Sequence, residues 1–368
     1  MHSVVCFGAG KIGRMIAALL SESGDYDLLV CDADERRLER VAHYRNVSTA
    51  RVDVAERSDL RTALAGRAAV ISALSFDHNP SVAEAASAAG ASYFDLTEDV
   101  ETTRRIRDIA AGAQRGQVFM PQCGLAPGFV AILAYGLTRA FDRLDAVHLR
   151  VGALPQFPSN ALRYNLTWST DGLINEYCNP ADAILDGRRT QVLPLEGLEH
   201  FWLAGVQYEA FNTSGGVGTL CDTLEGRARE VDYKTIRYPG HRDLMAFLIR
   251  DLKLGQRRGV LKDVLETAVP VTFQDLVVVF CTASGWRADQ LVQISDARII
   301  YSQTLFGEPW SAIQISTAAG VCAALDLALG GRLPDTGFLR QEQIELEDFL
   351  ANRFGRHFAE SVDLSHSR

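Results

Sequence analysis

The segment Tyr233-Lys234-Thr235-Ile236-Arg237-Tyr238-Pro239-Gly240-His241 carries a guanidinium, an ammonium and an imidazole in close succession. Read as a strand, it puts Tyr233, Thr235 and Arg237 on one face and Lys234, Ile236 and Tyr238 on the other. Arg237 is the natural clamp for a carboxylate, because a guanidinium binds one through two parallel N–H···O bonds. A structural ion pair is the plainer alternative. His241 lies past a Pro-Gly turn, where a neutral imidazole can act as general base or simply cap a helix or face solvent. Lys234 is either a second functional cation or a surface lysine lying along the outer face. Two other polar stretches stand out, Tyr164-Asn165-Leu166-Thr167-Trp168-Ser169 and Asn212-Thr213-Ser214-Gly215-Gly216-Val217-Gly218. The second sets hydroxyls among glycines, and its backbone N–H groups can cradle a carboxylate or form an ordinary loop.

A different chemistry begins the chain. Val4 to Phe7 reads as a short buried strand, Gly8, Gly10 and Gly13 follow at G-x-G-x-x-G spacing, and helical apolar periodicity runs through Ile12 to Leu20. In that strand–turn–helix setting Gly8 makes the tight turn, Gly10 admits a pyrophosphate to the backbone, and Gly13 lets the helix pack on the strand. The helix N-terminus, with Lys11 and Ile12, then offers N–H groups and a positive dipole end to phosphates. The next apolar strand, Asp27 to Cys31, ends at Asp32, whose carboxylate can accept both ribose hydroxyls of NAD and repel the 2′-phosphate of NADP. NAD is therefore the expected cofactor, with NADP not excluded. Arg36 and Arg37 just beyond can serve a 2′-phosphate or be solvated helix residues.

These sites need a scaffold. Asp34 can cap a helix to about Ala42. Val47 to Val54 is a third strand, and Asp53 at its end is either a residue near the adenine or a turn acid. Ala68 to Leu74 is a fourth, bringing Ala73 and Leu74 to the edge where cofactors lie in open parallel sheets. A helix from Asn79 to about Ala89, a strand Ser92 to Leu96, a helix from about Glu101 to Gln114 and a strand Val118 to Gln122 continue the alternation. The expected fold class is α/β, a Rossmann doubly wound parallel sheet. After Cys123-Gly124-Leu125-Ala126-Pro127-Gly128 a helix is expected to about Ala140, and strand-like segments then dominate: Ala146 to Leu154, Leu162 to Trp168, Gln207 to Phe211, Asp232 to Tyr238, Leu276 to Thr282 and Leu291 to Tyr301. This reads as an inserted α+β substrate domain. Ser311 to Leu329 is a long apolar helix that should return to the first domain. The expected layout is 1–122 plus 311–368 for dinucleotide binding, with 123–310 inserted and the cleft where the chain crosses.

The composition excludes some partners. Acidic residues outnumber basic ones, 46 to 37, with no basic run longer than two, which argues against nucleic acid or an anionic membrane. No apolar run approaches the ~18 residues of a membrane span, and the first strand leaves no room for a signal peptide. The 7 cysteines are scattered without a C-x-x-C pair, as reduced thiols in a cytoplasmic protein would be. No metal-ligand spacing is present.

GAGKIG, CGLAPGF, LRYNLTWSTDGLINEY, EAFNTSGGVGTL and YKTIRYPGH together resemble the saccharopine dehydrogenase and lysine 6-dehydrogenase family over most of the chain. The last two segments are the most specific, and the arrangement is most similar to the lysine 6-dehydrogenase branch. The resemblance implies a Rossmann domain with an inserted α+β domain, a homodimer, and oxidation or formation of a C–N bond on a lysine-derived amino acid with a nicotinamide cofactor. Saccharopine reductases carry an acidic residue where this chain has Ala126, and can carry a cysteine where it has Val151. Both departures favour the lysine 6-dehydrogenase pattern.

The resulting expectation is NAD-dependent removal of hydride from the ε-carbon of lysine or a relative. An ammonium has no lone pair to expel hydride, so a base is required; the candidates are His241, Asp95 and Glu98. Arg237, helped by Thr213 and Ser214, would hold the α-carboxylate, and Tyr164 and Asn165 would line the pocket. Saccharopine dehydrogenation would need a second carboxylate clamp from Arg163 or Lys234. A non-catalytic dinucleotide-binding protein is the remaining alternative.

Overall fold

A computed structural model describes residues 1–360 and 362. The chain forms two compact units. The first comprises 1–129 and 314–357, and the second comprises 130–313 with the described residues from 358 onward.

The first unit is a parallel sheet built by alternation of strand and helix: β1 (His2–Phe7), α1 (Lys11–Ser23), β2 (Tyr26–Asp32), α2 (Glu35–Glu39), β3 (Val47–Arg51), α3 (Arg57–Leu64), β4 (Ala69–Ser72), α4 (Asn79–Ala89), β5 (Ser92–Asp95), α5 (Val100–Ala110) and β6 (Val118–Met120). The order is β6-β5-β4-β1-β2-β3, with the short strand Gly337–Phe338 added beside β6. Every pairing is parallel. Helices on both faces leave Val4, Val5, Cys6 and Phe7 fully buried, which is why β1 reads as a continuous apolar run rather than an alternating one. Val5, Phe7, Val70, Tyr93 and Phe119 pack with Leu60 and Leu64 of α3, Val82 of α4 and Ile106 of α5. The strand order reverses between β1 and β4, so the ends of these two strands form the topological switch point.

Some boundaries differ from the sequence expectation. β3 stops at Arg51 because Asp53 closes a turn, accepting the Ala55 N–H at 3.0 Å. Asp34 caps α2 as expected, accepting from the Arg36 N–H. The helix Ala312–Leu329 has the length and apolarity of a membrane span, contrary to the expectation that no run approaches one. It is mostly buried, as a core helix is. Its residues from Gln314 on belong to the first unit, where Asp326 accepts from Tyr26 at 2.6 Å and a Cβ on Gly320 would lie 2.5 Å from the Gly124 carbonyl oxygen. The last described residues do not stay with it. In the second unit the Arg298 guanidinium donates to the Phe358 carbonyl and the Val362 N–H to the Ala297 carbonyl.

The second unit, entered through α6 (Phe129–Thr138), is a mixed sheet. Its strands are β7 (Arg143–Pro155), β8 (Ala181–Leu185), β9 (Arg188–Val192), β10 (Glu199–Leu203), β11 (Val206–Asn212), β12 (Glu230–Arg237), β13 (Asp275–Arg287) and β14 (Gln290–Tyr301). The path is β10-β11-β12-β7-β13-β14, with the β8–β9 hairpin attached to β12. Only β12 and β7 pair in parallel. One face carries Tyr164, Leu173, Ile174, Tyr177, Phe211, Met245, Leu261 and Leu265 in a single core. Leu162 to Trp168 is not a strand. Arg163 is left-handed (φ +50°), the Asn160 amide holds the Tyr164 carbonyl at 2.7 Å, and Leu166 makes an isolated bridge to Val271 outside the named strands. The segment is a loop pinned over the core by its own side chains.

Candidate functional site

In the first unit the glycine-rich turn closes against the switch point. Gly8 has φ +99°, and a Cβ there would lie 2.7 Å from the Ala73 carbonyl oxygen. A Cβ on Gly13 would lie 1.8 Å from the Gly8 carbonyl oxygen, an impossible distance, so this helix can sit so close to β1 only with glycine. A Cβ on Gly10 would meet nothing within 4 Å, leaving open space beside the backbone where a phosphate would approach. The Arg14 N–H makes the first helical bond, to the Gly10 carbonyl at 2.9 Å, and Gly10 supplies no side-chain cap. The N–H groups of the first turn, with exposed Lys11 and half-buried Ile12 among them, are therefore available to an anion. Ala73 donates to the Phe7 carbonyl at 2.8 Å, and Leu74 follows at the rim.

Asp32 stands at the end of β2. Its carboxylate accepts the Ala9 N–H at 2.8 Å and the Asp34 N–H at 2.9 Å, so it also braces the glycine turn. Arg37, which the sequence left as either a phosphate ligand or a solvated residue, reaches back to within 3.7 Å of Asp32. Asp53 is exposed and spends its carboxylate on its own turn. The turn, the open helix end and Asp32 fit a dinucleotide; Asp53 contributes no feature of its own beyond proximity in sequence.

The end of β5 separates the two acidic candidates. Asp95 is fully buried and accepts from Tyr93, Asn79 and the N–H groups of Thr97 and Gln122, at 2.7, 3.2, 3.0 and 2.9 Å. Burial pushes its pKa up to about 6 against the pull of these donors. With both oxygens engaged twice, Asp95 is a structural knot joining β5 to the crossover. Glu98, three residues on, is half-buried. Burial pushes it up to about 7, opposed by its own N–H and reinforced by Asp99 and Asp95. A carboxyl tuned to neutral pH at the strand ends of a dinucleotide sheet is suited to exchange protons there.

The second unit gathers Arg237, His241, Tyr164 and a residue the sequence reading passed over, Tyr177. Arg237 ends β12 and is 3% exposed. Its Nε donates to the Tyr177 hydroxyl at 2.9 Å and its Nη1 to the Ile236 carbonyl at 2.8 Å. Its carbon centre lies 5.0 Å from the Tyr164 ring and 5.8 Å from the Tyr177 ring. Burial opposes its charge, but Tyr177, Tyr164, Glu176 and Tyr233 outweigh this and hold its pKa above the ordinary arginine value. His241 is enclosed by the rings of Tyr164, Tyr177 and Phe211. Its Nδ1 lies 2.8 Å from the Leu162 carbonyl and its Nε2 3.1 Å from the Tyr177 hydroxyl. Burial and then the Arg237 charge push it down to about 3, so it is neutral. Both nitrogens are occupied and the ring is sealed from solvent, which removes the free lone pair a general base requires.

Among the described residues, the buried hydroxyls of Tyr164, Thr167 and Thr213 have no partner in good hydrogen-bond geometry. Those of Tyr164 and Thr167 face one another, with Trp168 also close to the first. Leaving such groups unpaired costs about 1–3 kcal/mol each, a cost that an incoming polar ligand relieves. Ser214 instead ties the glycine loop to α7 (Thr170–Cys178), donating to the Asn175 carbonyl from its hydroxyl and to the Glu176 carbonyl from its N–H. Gly216 lies on Tyr233, where a Cβ would fall 2.2 Å from the ring. Asn165 is buried and accepts from Asn160 at 3.4 Å.

Lys234 is on the opposite face. It pairs with Glu199 at 2.6 Å within a network in which Arg150 also binds Glu199 and Asp232, and Asp232 binds His148. That commits Lys234 to an ion-pair network on the face away from Arg237. Arg163 is exposed. Tyr177 and Glu176 lie within LRYNLTWSTDGLINEY, but only the tertiary placement of α7 turns them toward β12.

Residues 4–120 match the family model for the saccharopine dehydrogenase NADP binding domain, and residues 124–353 match that for the saccharopine dehydrogenase C-terminal domain. Among solved structures, the apo saccharopine dehydrogenase (L-Glu forming) of Saccharomyces cerevisiae superposes with a TM-score of 0.79 at 17% identity, covering 99% of this chain and 100% of that one. This is a likeness of fold. A myo-inositol dehydrogenase of Corynebacterium glutamicum covers 99% of each chain at 13% identity, with a TM-score of 0.46 that carries no argument.

Proposed function

The chain belongs to the saccharopine dehydrogenase family, a NAD(P)-binding oxidoreductase, and from that premise we propose that it oxidises a C–N bond of lysine or a lysine-derived amino acid in a lysine 6-dehydrogenase-type deamination. The observation that carries this reading is Arg237, a buried cation with no carboxylate within ion-pair distance among the described residues and with Nη2 uncommitted. Such a cation suits the carboxylate of a small ligand. A second clamp, which saccharopine would need, finds no support in the residues considered for it: Lys234 is committed to Glu199 on the other sheet face and Arg163 is exposed.

Gly8, Gly10, Gly13, the N–H groups of Lys11 and Ile12, the rim residues Ala73 and Leu74, and Asp32 would hold the dinucleotide. Its nicotinamide, when bound, supplies the hydride acceptor. Arg237 holds the carboxylate end of the amino acid, with the hydroxyls of Tyr164 and Thr213 as further donors. The ε-ammonium must lose a proton to free the lone pair that expels hydride from the ε-carbon, and Glu98 is the carboxyl of the first unit suited to that exchange. Water then adds to the iminium carbon and ammonia leaves to give the aldehyde, or the α-amine adds to that carbon, closing the ring, and the ε-nitrogen leaves as ammonia. Asp32 favours NAD over NADP, and Arg37 beside it limits how strongly.

The test is reduced-cofactor absorbance with L-lysine, L-saccharopine and cadaverine, each with NAD and NADP. Turnover of L-lysine with NAD, and little of cadaverine, is expected. Turnover of saccharopine alone would assign the chain to that branch. Cofactor binding without turnover of any would overturn the catalytic reading.

A further inference from the structure

The bonding around Arg237 has only one consistent direction. The Leu162 carbonyl can only accept, so His241 Nδ1 carries the hydrogen. In a neutral ring Nε2 is then an acceptor, and Tyr177 donates its hydroxyl hydrogen to it. The Tyr177 oxygen in turn accepts from Arg237 Nε. A chain thus runs from the guanidinium through Tyr177 and His241 to the backbone of the loop bearing Tyr164. It uses the Nε side of the guanidinium, and one Nη1 hydrogen goes to the Ile236 carbonyl. What remains is Nη2 and the second hydrogen of Nη1, so the Nη1–Nη2 side is the one left open.

We propose that Tyr177 and His241 are positioning residues that hold Arg237 so that its Nη1–Nη2 edge, and no other, meets the substrate carboxylate end-on; this rests on the reading of Arg237 as the carboxylate clamp. An arginine side chain has many rotamers, and fixing it before the ligand arrives removes that ordering cost from binding. Tyr177 is fully buried and His241 is 1% exposed, so neither hydroxyl nor ring has a solvent alternative to the chain. The Tyr164 ring, 5.0 Å from the guanidinium and 5.2 Å from the imidazole, packs against both members. The arrangement acts on binding rather than on the reacting carbon, and it acts in series: His241 reaches Arg237 only through Tyr177.

Both features are measurable with full-length protein, saturating NAD, and L-lysine and L-saccharopine as probes, read as kcat and KM and as Kd by calorimetry. Tyr177→Phe keeps the ring and removes the acceptor for Nε. It is expected to raise KM about 5- to 30-fold with kcat within about twofold. His241→Asn keeps the tie to Leu162 and loses the Nε2 position; it should raise KM by less. In series, the double variant should be no worse than Tyr177→Phe alone. Additive effects, or an unchanged KM in Tyr177→Phe while Arg237→Ala raises it, would overturn the relay and leave the clamp standing. An unchanged KM in Arg237→Ala, or a native protein that binds neither probe, would overturn both. If His241→Asn does not fold, ¹⁵N spectra of the native protein decide: His241 should show a neutral Nδ1–H ring throughout about pH 5 to 8, and titration in that range overturns the relay.

Discussion

Arg237 and Glu98 are the two side chains whose settings ask for an external partner. The first is a buried cation set among the Tyr164 and Tyr177 rings, with the Glu176 charge acting on it from beyond ion-pair distance, and the second is a carboxyl raised to about 7. Arg237→Ala is expected to raise KM for the amino acid about 10- to 100-fold while NAD affinity stays nearly constant. Arg237→Lys should not restore it, because an ammonium cannot present two parallel donors. Steady-state kinetics with the melting temperature checked first are the measurement, and a collapse in melting temperature would instead identify Arg237 as a purely structural cation. For Glu98 the observable is the pH profile of kcat/KM, which reports ionisations of the free enzyme. Activity should rise with pH through a limb near 7 as Glu98 loses its proton, and Glu98→Gln should abolish that limb along with most of the turnover. A limb that persists in the variant would move the base elsewhere.

At the scale of elements, the end of β5 shows how a burial cost becomes a pH dependence. Asp95 accepts from Tyr93, from Asn79 at the start of α4 and from two backbone N–H groups, so one carboxylate holds β5, α4 and the crossover in register. Its folded pKa of about 6 lies above the ordinary carboxyl value. A carboxyl raised in this way contributes stability that is fully present below the unfolded pKa and is lost as pH rises through the folded one. The native protein should therefore lead Asp95→Asn by about 1 kcal/mol more at pH 5 than at pH 7, measured by denaturant unfolding. The variant should also be less stable at both, by about 1–3 kcal/mol, since the amide cannot accept from all four donors. A pH-independent difference would show that Asp95 is ionised throughout.

At the scale of the whole molecule, the described residues leave one face of the mixed sheet incompletely covered. Phe201, Tyr238 and Phe280 are half-buried beside the core of Leu154, Tyr208, Ala210, Ile236 and Val278, and Trp202 is 68% exposed at the edge. Apolar surface of this kind is normally covered in an assembly. The homodimer implied by the family resemblance is expected in solution, and light scattering should give twice the chain mass of 40.3 kDa. A monomer at micromolar concentration would overturn it.

The α/β alternation, the glycine turn, Asp32 and the Arg237 strand were legible in the amino-acid sequence, because local rules govern them. Strand and helix periods are short-range, Gly13 must be glycine wherever a helix touches its own turn, and strand alternation alone puts Arg237 and Lys234 on opposite faces. The same rules misread Leu162 to Trp168, whose apolar spacing suits a strand but whose Arg163 is left-handed and whose backbone is held by Asn160. They also could not rank His241, Asp95 and Glu98, which differ in burial and in the donors that distant segments bring. His241 acquires Tyr177 from α7 and Leu162 from a loop, Asp95 acquires Gln122, and Glu98 is met chiefly by its own N–H among the described residues. Residue type and spacing determined which groups could do chemistry. Which of them keep a free proton site was decided by the tertiary structure, because the pKa and the open hydrogen-bond positions of a buried group are set by neighbours far away in the chain.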